Sequence, residues 1–303
     1  PVISLYVVAS YRLMPAFQQI YIGFSAIKFD FPAFENLVKE FSIPNNENQN
    51  EVNSPPVLFK EKLQIDKLDF TYESSEIPVL NKLDLIIYPK TTVGIVGLTG
   101  SGKTTLVDII LGLLEPSNGE ITLNNKVING SMRRWQDMVA YIPQEVFMSD
   151  NTLINNIALG EESASLDQAR IDDTILRSKL KSVVENLPNK GNTRLGENGI
   201  TLSGGQKQRV SLARALYHNR EVLVMDEATS ALDGITEEKV MQSILDSSKE
   251  KTIIVIAHRL TTLRECDTIF LFERGKLVDQ GKYDQLVNTN SMFYRMTRNN
   301  EKL

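Results

Sequence analysis

The chain has 303 residues, of which 42% are hydrophobic and 23% are charged, and its formal net charge at pH 7 is −5. This composition is typical of a globular chain with a sizeable core, and the length predicts about two domains. The acidic balance argues against a nucleic-acid-binding protein, while the single cysteine, Cys266, excludes an internal disulfide and fits a reducing compartment.

The first segment, residues 1–41, is more apolar than the rest, and its first 27 residues contain one charge, Arg12. Polar residues and Pro15 interrupt the apolar run before it reaches the roughly 18 residues that a complete transmembrane helix needs. Pro32–Phe41 is predicted as a short helix with proline near its start. The chain begins with Pro rather than Met and shows no signal peptide, so we expect a fragment of a longer protein.

Two interpretations of residues 1–41 stay open. The segment is either an amphipathic helix that packs on its own domain or the cytoplasmic end of a membrane helix separated from its bundle. We favour the second interpretation, because so apolar a leader is hard to bury in front of a domain that is already complete.

A polar, Asn-rich linker follows at residues 44–56 and ends with two prolines. Leu63–Phe70 is predicted as the first strand of a globular domain. Its apolar alternation shifts by one residue near Asp66–Lys67, so we expect a β-bulge there. A second strand is predicted at 83–88, where apolar and other residues again alternate. The domain therefore begins with a β-rich part.

A P-loop follows this β-rich part. The apolar strand Val93–Val96 leads into Gly97-x-x-x-x-Gly102-Lys103-Thr104 and then into an apolar-periodic helix, which is the context that the motif requires. Glycines let backbone N–H groups converge on a phosphate, and the helix N-terminus adds donors and partial positive charge. Lys103 can reach the β- and γ-phosphates, and the Thr104 hydroxyl can ligate Mg²⁺. The sequence predicts a nucleoside triphosphate site.

The rest of the domain alternates between strands and helices. Further strands are predicted at 120–123, 139–142, 221–225, 252–257, 268–273 and 276–280, and helices at 153–158, 167–187, 205–217 and 237–249. Strands and helices that alternate around a P-loop imply an α/β core. The helical block between Gln144 and Arg220 is then an insertion into that core.

A second chemical site is predicted at the end of the strand 222–225, whose four apolar residues are typical of burial on both faces. Ligands of α/β sheets collect at the C-terminal ends of strands, beside the P-loop. Asp226 is therefore predicted to hold Mg²⁺, usually through water, and Glu227 to polarise an attacking water as a general base. The alternative is an ordinary solvated strand end.

A third site lies at Leu202–Gln206, LSGGQ, directly before a helix with an apolar stripe. Its Ser-Gly-Gly turn is a second anion cradle, which cannot easily serve the same phosphate from within one chain. This motif, shortly before an apolar strand that ends in Asp-Glu, resembles the signature of ATP-binding cassette (ABC) ATPases. The resemblance implies a P-loop NTPase core with an N-terminal antiparallel β subdomain and an inserted α-helical signature subdomain.

The resemblance also implies a role for several single residues. Tyr72 in DFTY matches the aromatic residue that stacks on adenine, and Gln144 in YIPQ matches the glutamine loop. Asp233 in ALD belongs to the D-loop, and His258 in VIAHR is similar to the switch histidine. The other histidine, His218, is interpreted as a satisfied packing or surface residue.

By this resemblance, the expected catalytic residues are Lys103, Gln144, Glu227 and His258, and the expected Mg²⁺ ligands are Thr104, Gln144 and Asp226. The expected ATP contacts are Tyr72, Gly97, Gly100, Ser101, Gly102, Lys103, Thr104, Thr105, Gln144, Ser203, Gly204, Gly205, Gln206 and Asp233.

Two stretches resemble exporters within this family: YIPQEVFMSDNTLINNIALG, and Thr193–Gly199 before the signature. The resemblance implies a transmembrane remnant at 1–43, a linker at 44–61, an ABC domain at 62–290 with its helical subdomain at about 145–220, and a tail at 291–303. It implies a head-to-tail pair of cassettes, a transmembrane domain on the same polypeptide, the cytoplasmic face of the cell membrane and no nucleic acid. The region after Arg12 resembles flippases of lipids or lipid-linked sugars.

Two other functions stay open. A soluble ABC ATPase of the DNA-repair, chromosome-maintenance or translation type would carry a coiled coil, a zinc-binding insertion or tandem cassettes. A nucleotide-sensing module without hydrolysis would have lost Glu227, His258 or the signature. The basic residues of the signature helix are predicted to form a solvated face rather than a nucleic-acid surface: Lys207, Arg209, Arg214 and Arg220.

Overall fold

The structure is a computed structural model that describes residues 2–42, 58–128, 132–162, 165–226, 240–242, 244, 250–257 and 260–300. The chain divides into two compact units, residues 1–55 and 56–303. Each unit is described by itself below.

The described part of the first unit, residues 2–42, is a helix, α1, which runs from Val2 to Ser42 through both Pro15 and Pro32. The prediction of a short helix that begins near Pro32 is therefore wrong, because a proline removes one backbone hydrogen bond and the helix continues on both sides of it. Large apolar side chains are exposed along the whole length of α1. No helix among the described residues combines the length and apolar character needed to cross a membrane.

The described residues of the second unit form two sheets. The first is antiparallel, with strand order β2-β1-β4-β5, where β1 is Leu63–Phe70, β2 Leu80–Ile87, β4 Asn118–Leu123 and β5 Lys126–Val127. The predicted β-bulge is confirmed, because the register of β1 against β2 shifts between Ile65 and Leu68, and Lys67 has φ 45°. The bulge returns Leu68 and Phe70 to the buried face.

The second sheet has the order β10-β9-β3-β8-β7-β6. Its strands are β3 Thr92–Gly97, β6 Val139–Ile142, β7 Val222–Asp226, β8 Thr252–Ile256, β9 Thr268–Glu273 and β10 Lys276–Gly281. All neighbouring pairs are parallel except β9 with β10. Strands β3, β7 and β8 are buried at every residue, as expected for a parallel sheet covered on both faces.

Helices cover this sheet and form the insertion. They are α2 Lys103–Ile110, α3 Met132–Gln136, α4 Leu153–Ile157, α5 Gln168–Arg177, α6 Lys181–Asn186 and α7 Gly204–His218. Further helices span Leu260–Arg264, Tyr283–Thr289 and Ser291–Asn300, and residues 240–242 and 244 are also helical. Helices α4, α5 and α7 share a separate apolar core, which includes Leu153, Ile171 and Val210. The α/β fold with an inserted helical subdomain is confirmed.

Candidate functional site

The strand order brings the predicted site residues to one edge of the parallel sheet. Strand β3 lies between β8 and β9, and β7 lies two strands from β3. Neighbouring strands are about 4.8 Å apart, so the C-terminal ends of β3 and β7 are separated by about 10 Å. The P-loop follows β3, Asp226 ends β7, and Gln144 follows β6. A nucleotide phosphate and its metal ion fit across such a distance.

The backbone of the P-loop requires two of its glycines. Gly102 is the N-cap of α2 with φ 95°, a left-handed conformation that L side chains rarely adopt. A Cβ atom on Gly97 would collide with the carbonyl oxygen of Phe272 in β9 and lie 2.6 Å from Ser101 Oγ. The loop therefore turns sharply and packs backbone against backbone at its base.

Lys103 turns back over the loop that precedes it. Its Nζ atom donates to the carbonyl oxygens of Gly97 at 2.9 Å and Leu98 at 3.1 Å, and the side chain is only 7% exposed. Residues Leu98 to Gly100 are exposed beside it. A positive charge is thus held within an open loop of backbone amides, an arrangement suited to a polyphosphate.

The loop also contains an unpaired buried hydroxyl. Ser101 Oγ is buried and has no hydrogen-bond partner among the residues that the structure describes. Beside it, Gly100 has φ 77°, and nothing lies within 4 Å of the position that its Cβ would take. A buried polar atom without a partner is unfavourable by about 1–3 kcal/mol, so this hydroxyl favours an acceptor ligand. These observations fit a bound phosphate group.

Tyr72 lies next to the P-loop helix. Its hydroxyl is 3.2 Å from Thr105 Oγ1, and its ring packs edge-on against Phe70 with the centroids 4.9 Å apart. The side chain remains 40% exposed. One edge of the ring is therefore fixed while part of its surface is open to a ligand, as base stacking requires.

Asp226 is a buried carboxylate at the end of β7, and its Cα pairs in register with Ile256 of β8. Burial, together with the negative charges of Asp226 and Asp108, raises the pKa of the nearby Tyr141 to about 12. Gln144 is exposed just after β6. Mg²⁺ in proteins is bound through one or two carboxylates together with substrate phosphates, so Asp226, Gln144 and the Thr104 hydroxyl form a donor set that fits it.

The second predicted anion cradle is at the N-terminus of α7. Ser203 and Gln206 form a capping box, in which Ser203 N–H donates to Gln206 Oε1 at 2.8 Å and Gln206 N–H donates to Ser203 Oγ at 3.4 Å. Ser203 and Gly204 are exposed, and Gly205 is half-buried. The first turn of α7 therefore presents its end to the surface. Glu227, Asp233 and His258 lie outside the described residues.

The prediction of a solvated basic face on α7 is wrong at Arg214. Its Nε donates to the Asn156 carbonyl at 2.6 Å, and its two terminal nitrogens donate to the Phe147 carbonyl at 2.8 Å and to Asn156 Oδ1 at 2.9 Å. Burial lowers the pKa of Arg214. Arg214 follows Val210 by four residues and precedes Tyr217 by three, so helical periodicity already places it on the buried side.

A carboxylate fixes the loop that precedes the signature. Asp150 accepts hydrogen bonds from the backbone N–H of Asn198 at 3.3 Å and from the Asn198 side-chain amide. These bonds lower the pKa of Asp150. Gly196 has φ 99°, and a Cβ there would collide with the same carboxylate. Asp150 lies in the exporter-like stretch YIPQEVFMSDNTLINNIALG, but that resemblance assigned it no role.

His218 is satisfied within the helical insertion, as predicted. Its Nε2 lies 3.1 Å from the Leu159 carbonyl oxygen, and its ring packs edge-on against Tyr217 with the centroids 5.5 Å apart. Burial lowers the pKa of His218, and the positive charge of Arg220 lowers it further.

Comparisons with known proteins agree with this geometry. Residues 80–230 match the family described as "ABC transporter". The chain is 34% identical over 241 residues to the "ATP-dependent lipid A-core flippase" of Cupriavidus pinatubonensis, which covers 79% of this chain and 41% of that protein. It is 38% identical over 242 residues to the "Pediocin PA-1 transport/processing ATP-binding protein PedD" of Pediococcus acidilactici, covering 79% of this chain and 33% of that protein.

A solved structure is similar as well. "Structure of a bacterial Atm1-family ABC exporter with ATP bound" superposes with a TM-score of 0.77 at 26% identity, covering 96% of this chain and 50% of that chain. The chain thus spans half or less of the length of these proteins.

Proposed function

The chain belongs to the ABC transporter family and contains its ATP-binding domain, and from this premise we propose that it powers export by an ATP-driven closure of two cassettes. One copy supplies the P-loop side of each nucleotide site, and a second copy supplies the signature side. Hydrolysis then reopens the pair. A membrane domain converts this cycle into movement of a substrate across the bilayer.

The P-loop side binds most of the nucleotide. Tyr72 stacks on adenine, the N–H groups of Gly100 to Thr105 receive the phosphates, and the Lys103 ammonium neutralises the β- and γ-phosphates. The Lys103 ammonium donates to two neutral carbonyls of the loop, and when ATP binds it would donate to charged phosphate oxygens instead. Charge-assisted hydrogen bonds of that kind are about twice as strong as neutral ones.

The observation that carries the proposal is the exposed N-terminus of α7. Ser203 and Gly204 face the surface of the domain, although a helix N-terminus with a Ser-Gly-Gly turn favours an anion. The P-loop of the same chain is already a complete cradle on one side of a phosphate. A second copy, placed head to tail, would use Ser203, Gly204, Gly205 and Gln206 to cover the other side, with Asp233 at the same junction.

Hydrolysis requires groups on the edge beside β7. We propose that Glu227 takes a proton from the attacking water and that His258 bridges this water and the γ-phosphate. Thr104, Gln144 and Asp226 would hold Mg²⁺, which supplies neutralisation of phosphate charge when it is bound. Lys103 stabilises the negative charge that develops on the γ-phosphate during hydrolysis. Gln144 would couple Mg²⁺ binding to the membrane domain.

Helix α1 supports the export part of the proposal. Its large side chains are exposed along its length, and an apolar surface of this extent favours a protein or lipid partner. We infer that residues 1–43 are the end of a transmembrane domain on the same polypeptide, that residues 44–61 connect it to the cassette, and that the cassette lies on the cytoplasmic face of the membrane.

The substrate is proposed to depend on the membrane part alone. Two relatives named for different cargoes, a lipid and a bacteriocin, each match about four fifths of this chain with similar identity. The ATP chemistry of the cassette is therefore compatible with both. A lipid or lipid-linked sugar is the substrate class that the flippase relatives favour.

Nucleotide-dependent dimerisation tests the proposal. Glu227→Gln should retain ATP binding and lower turnover by roughly 10²–10⁴-fold, the range for loss of a general base. Light scattering with ATP and Mg²⁺ should then show a dimer, and a double variant that also carries Lys103→Ala should stay monomeric. A Glu227→Gln sample that binds ATP yet remains monomeric at high concentration, and in the full transporter, would contradict the two-copy site.

A further inference from the structure

The turn between β9 and β10 contacts the P-loop through its backbone. Its two central residues, Arg274 and Gly275, have φ 49° and 75°, as a tight hairpin turn requires. The N–H of Gly275 donates to the Ser101 carbonyl at 3.1 Å, and its own carbonyl accepts from Asn81 N–H at 3.0 Å. The turn is thus hydrogen-bonded to the phosphate loop on one side and to β2 on the other.

The contact leaves no room for a side chain at the turn. A Cβ on Gly275 would collide with the carbonyl oxygen of Val79 and lie 2.9 Å from its carbonyl carbon and 3.2 Å from Leu80 Cα. All three atoms are backbone, so no rotamer change relieves the contact. The same Val79 carbonyl oxygen is 3.1 Å from the position of a Cβ on Gly102. The two glycines therefore pack against one peptide group.

The hydrogen bond has a consequence for phosphate binding. The peptide group between Ser101 and Gly102 is planar and trans, so its C=O and N–H point in opposite directions. With the Ser101 C=O held by Gly275, the Gly102 N–H is directed away from the hairpin. Gly102 caps α2, and a helix N-terminus binds an anion through N–H groups at that position.

We propose that Gly275 is a positioning residue for nucleotide binding: its N–H orients the Ser101–Gly102 peptide so that the Gly102 N–H meets a phosphate. The proposal rests on the proposed use of the P-loop for ATP. Gly275 does not touch the nucleotide itself. It acts through the P-loop from a hairpin that follows it by more than 150 residues in the sequence.

A substitution gives the first test. Gly275→Ala should push the turn off Val79 and break the bond to Ser101, so the dissociation constant for ATP with Mg²⁺ should rise about ten-fold or more in calorimetric titrations of the folded fraction. Gly160→Ala is the matched control, since Gly160 has φ 95° but nothing within 4 Å of its Cβ position. The control carries the backbone strain alone and should bind ATP like the parent.

An ester gives the second test, which adds no atoms to the turn. Cys266 is the only cysteine, so residues 266–303 can be made synthetically and joined to 1–265 by native chemical ligation. Glycolate at position 275 replaces the donor N–H by oxygen and should raise the dissociation constant for ATP about five-fold, the effect of one backbone hydrogen bond. A control ester at Phe293, whose N–H donates to Asn290 Oδ1 at 3.1 Å, should leave ATP binding unchanged.

The outcomes separate the two proposals. Equal ATP affinity in the ester protein and the parent would overturn the role of Gly275. Unaltered ATP affinity in Lys103→Ala would instead overturn the P-loop site itself. If Gly275→Ala fails to fold, the ester decides. A fall in melting temperature in Gly275→Ala with no change of ATP affinity would show a structural role only and would also overturn the proposal.

Discussion

A single side-chain oxygen, Asn156 Oδ1, accepts hydrogen bonds from Arg214 of α7 and from both the backbone and the hydroxyl of Ser149, at 2.9, 2.9 and 3.1 Å. The amide nitrogen of Asn156 donates to three carbonyls, those of Ser149, Asn151 and Thr152. The side chain is fully buried. The segment that follows Gln144 is therefore held against the signature helix by one amide group.

Removal of this amide should destabilise the helical insertion. Asn156→Ala removes the Oδ1 acceptor of one Arg214 nitrogen and the side-chain donor to three carbonyls, so the free energy of unfolding should fall by about 2–4 kcal/mol. Lys207→Ala on the same helix is the control, and it should change stability by no more than about 0.5 kcal/mol. Urea denaturation measures both, and equal stability of the two variants would contradict the assigned contacts.

The Asp150–Asn198 contact should protect the loop before the signature. Arg194 is exposed in this loop, so Asp150→Ala and Asn198→Ala should each accelerate tryptic cleavage after Arg194. The double variant should be no faster than the faster single variant, because the two side chains act through one contact. Additive effects would show that the contact does not hold the loop.

The same contact predicts a pH dependence. Hydrogen bonds from Asn198 hold the pKa of Asp150 below its usual range, so the carboxylate favours the folded state at neutral pH. This contribution is present above the pKa of an unfolded aspartate and is lost as the pH falls through the lower pKa of the folded state. The difference in melting temperature between the parent and Asp150→Ala should therefore shrink in acid. A constant difference down to pH values below both pKa values would refute this.

The buried thiol of Cys266 predicts that stability falls as the pH rises above 9, opposite to the loss in acid expected for Asp150. Burial, together with the negative charges of Asp267 and Glu265, raises the pKa of its thiol to about 12. The unfolded thiol loses its proton near pH 9 while the folded thiol keeps it, so the stability of the parent should fall with pH by up to about 1.4 kcal/mol per unit. Relative to Cys266→Ala, the parent should lose stability between pH 9 and 11. If the stability of the parent and that of Cys266→Ala changed equally between pH 9 and 11, this prediction would be wrong.

Two substitutions of Tyr72 distinguish the contribution of its ring to ATP binding from that of its hydroxyl. Tyr72→Phe removes the contact with Thr105 but keeps the ring, so the dissociation constant for ATP should change less than about two-fold if stacking dominates. Tyr72→Ala removes the ring and should raise it by about 5–100-fold, since base stacking on an aromatic side chain contributes about 1–3 kcal/mol. Similar effects of both substitutions would assign the interaction to the hydroxyl.

Deletion of residues 1–41 tests the proposal that α1 belongs to a membrane domain. The truncated chain should be more soluble without detergent, because the deletion removes the exposed apolar side chains of α1. Its affinity for ATP should equal that of the full chain. Lower ATP affinity after truncation would show that the segment belongs to the cassette.

The parallel strands and the P-loop were predictable because their signals are local. Four apolar residues before Asp226 indicate a buried strand whatever surrounds them. The break between α5 and α6 was not predictable from the sequence, because the apolar periodicity of the helix continues through it. Helix α5 ends at Arg177, Lys179 then takes a left-handed conformation with φ 56°, and Leu180 N–H donates back to the Ile175 carbonyl at 2.9 Å. The left-handed position after a helix is usually glycine, so a lysine there does not indicate a helix end.

The polar contacts of the insertion were missed for another reason. Helical periodicity places Arg214 on the buried side of α7, but the sequence does not show that its polar partner is Asn156, 58 positions away. Glu227, Asp233 and His258 stay predictions, as they lie outside the described residues. Pairings between distant polar residues depend on tertiary structure, which local periodicity does not encode.

Gly97, Gly119 and Gly275 each face a carbonyl oxygen of another segment, whereas Gly191 faces only the side chain of Ile154. A main-chain oxygen is present whichever amino acid occupies its position. Second-site suppressors should therefore exist for Gly191→Ala, for instance at Ile154, and should be missing for the other three in any library of side-chain changes. Substitution at these three glycines during evolution is therefore limited by the backbone conformation, and not by the side chains of neighbouring residues.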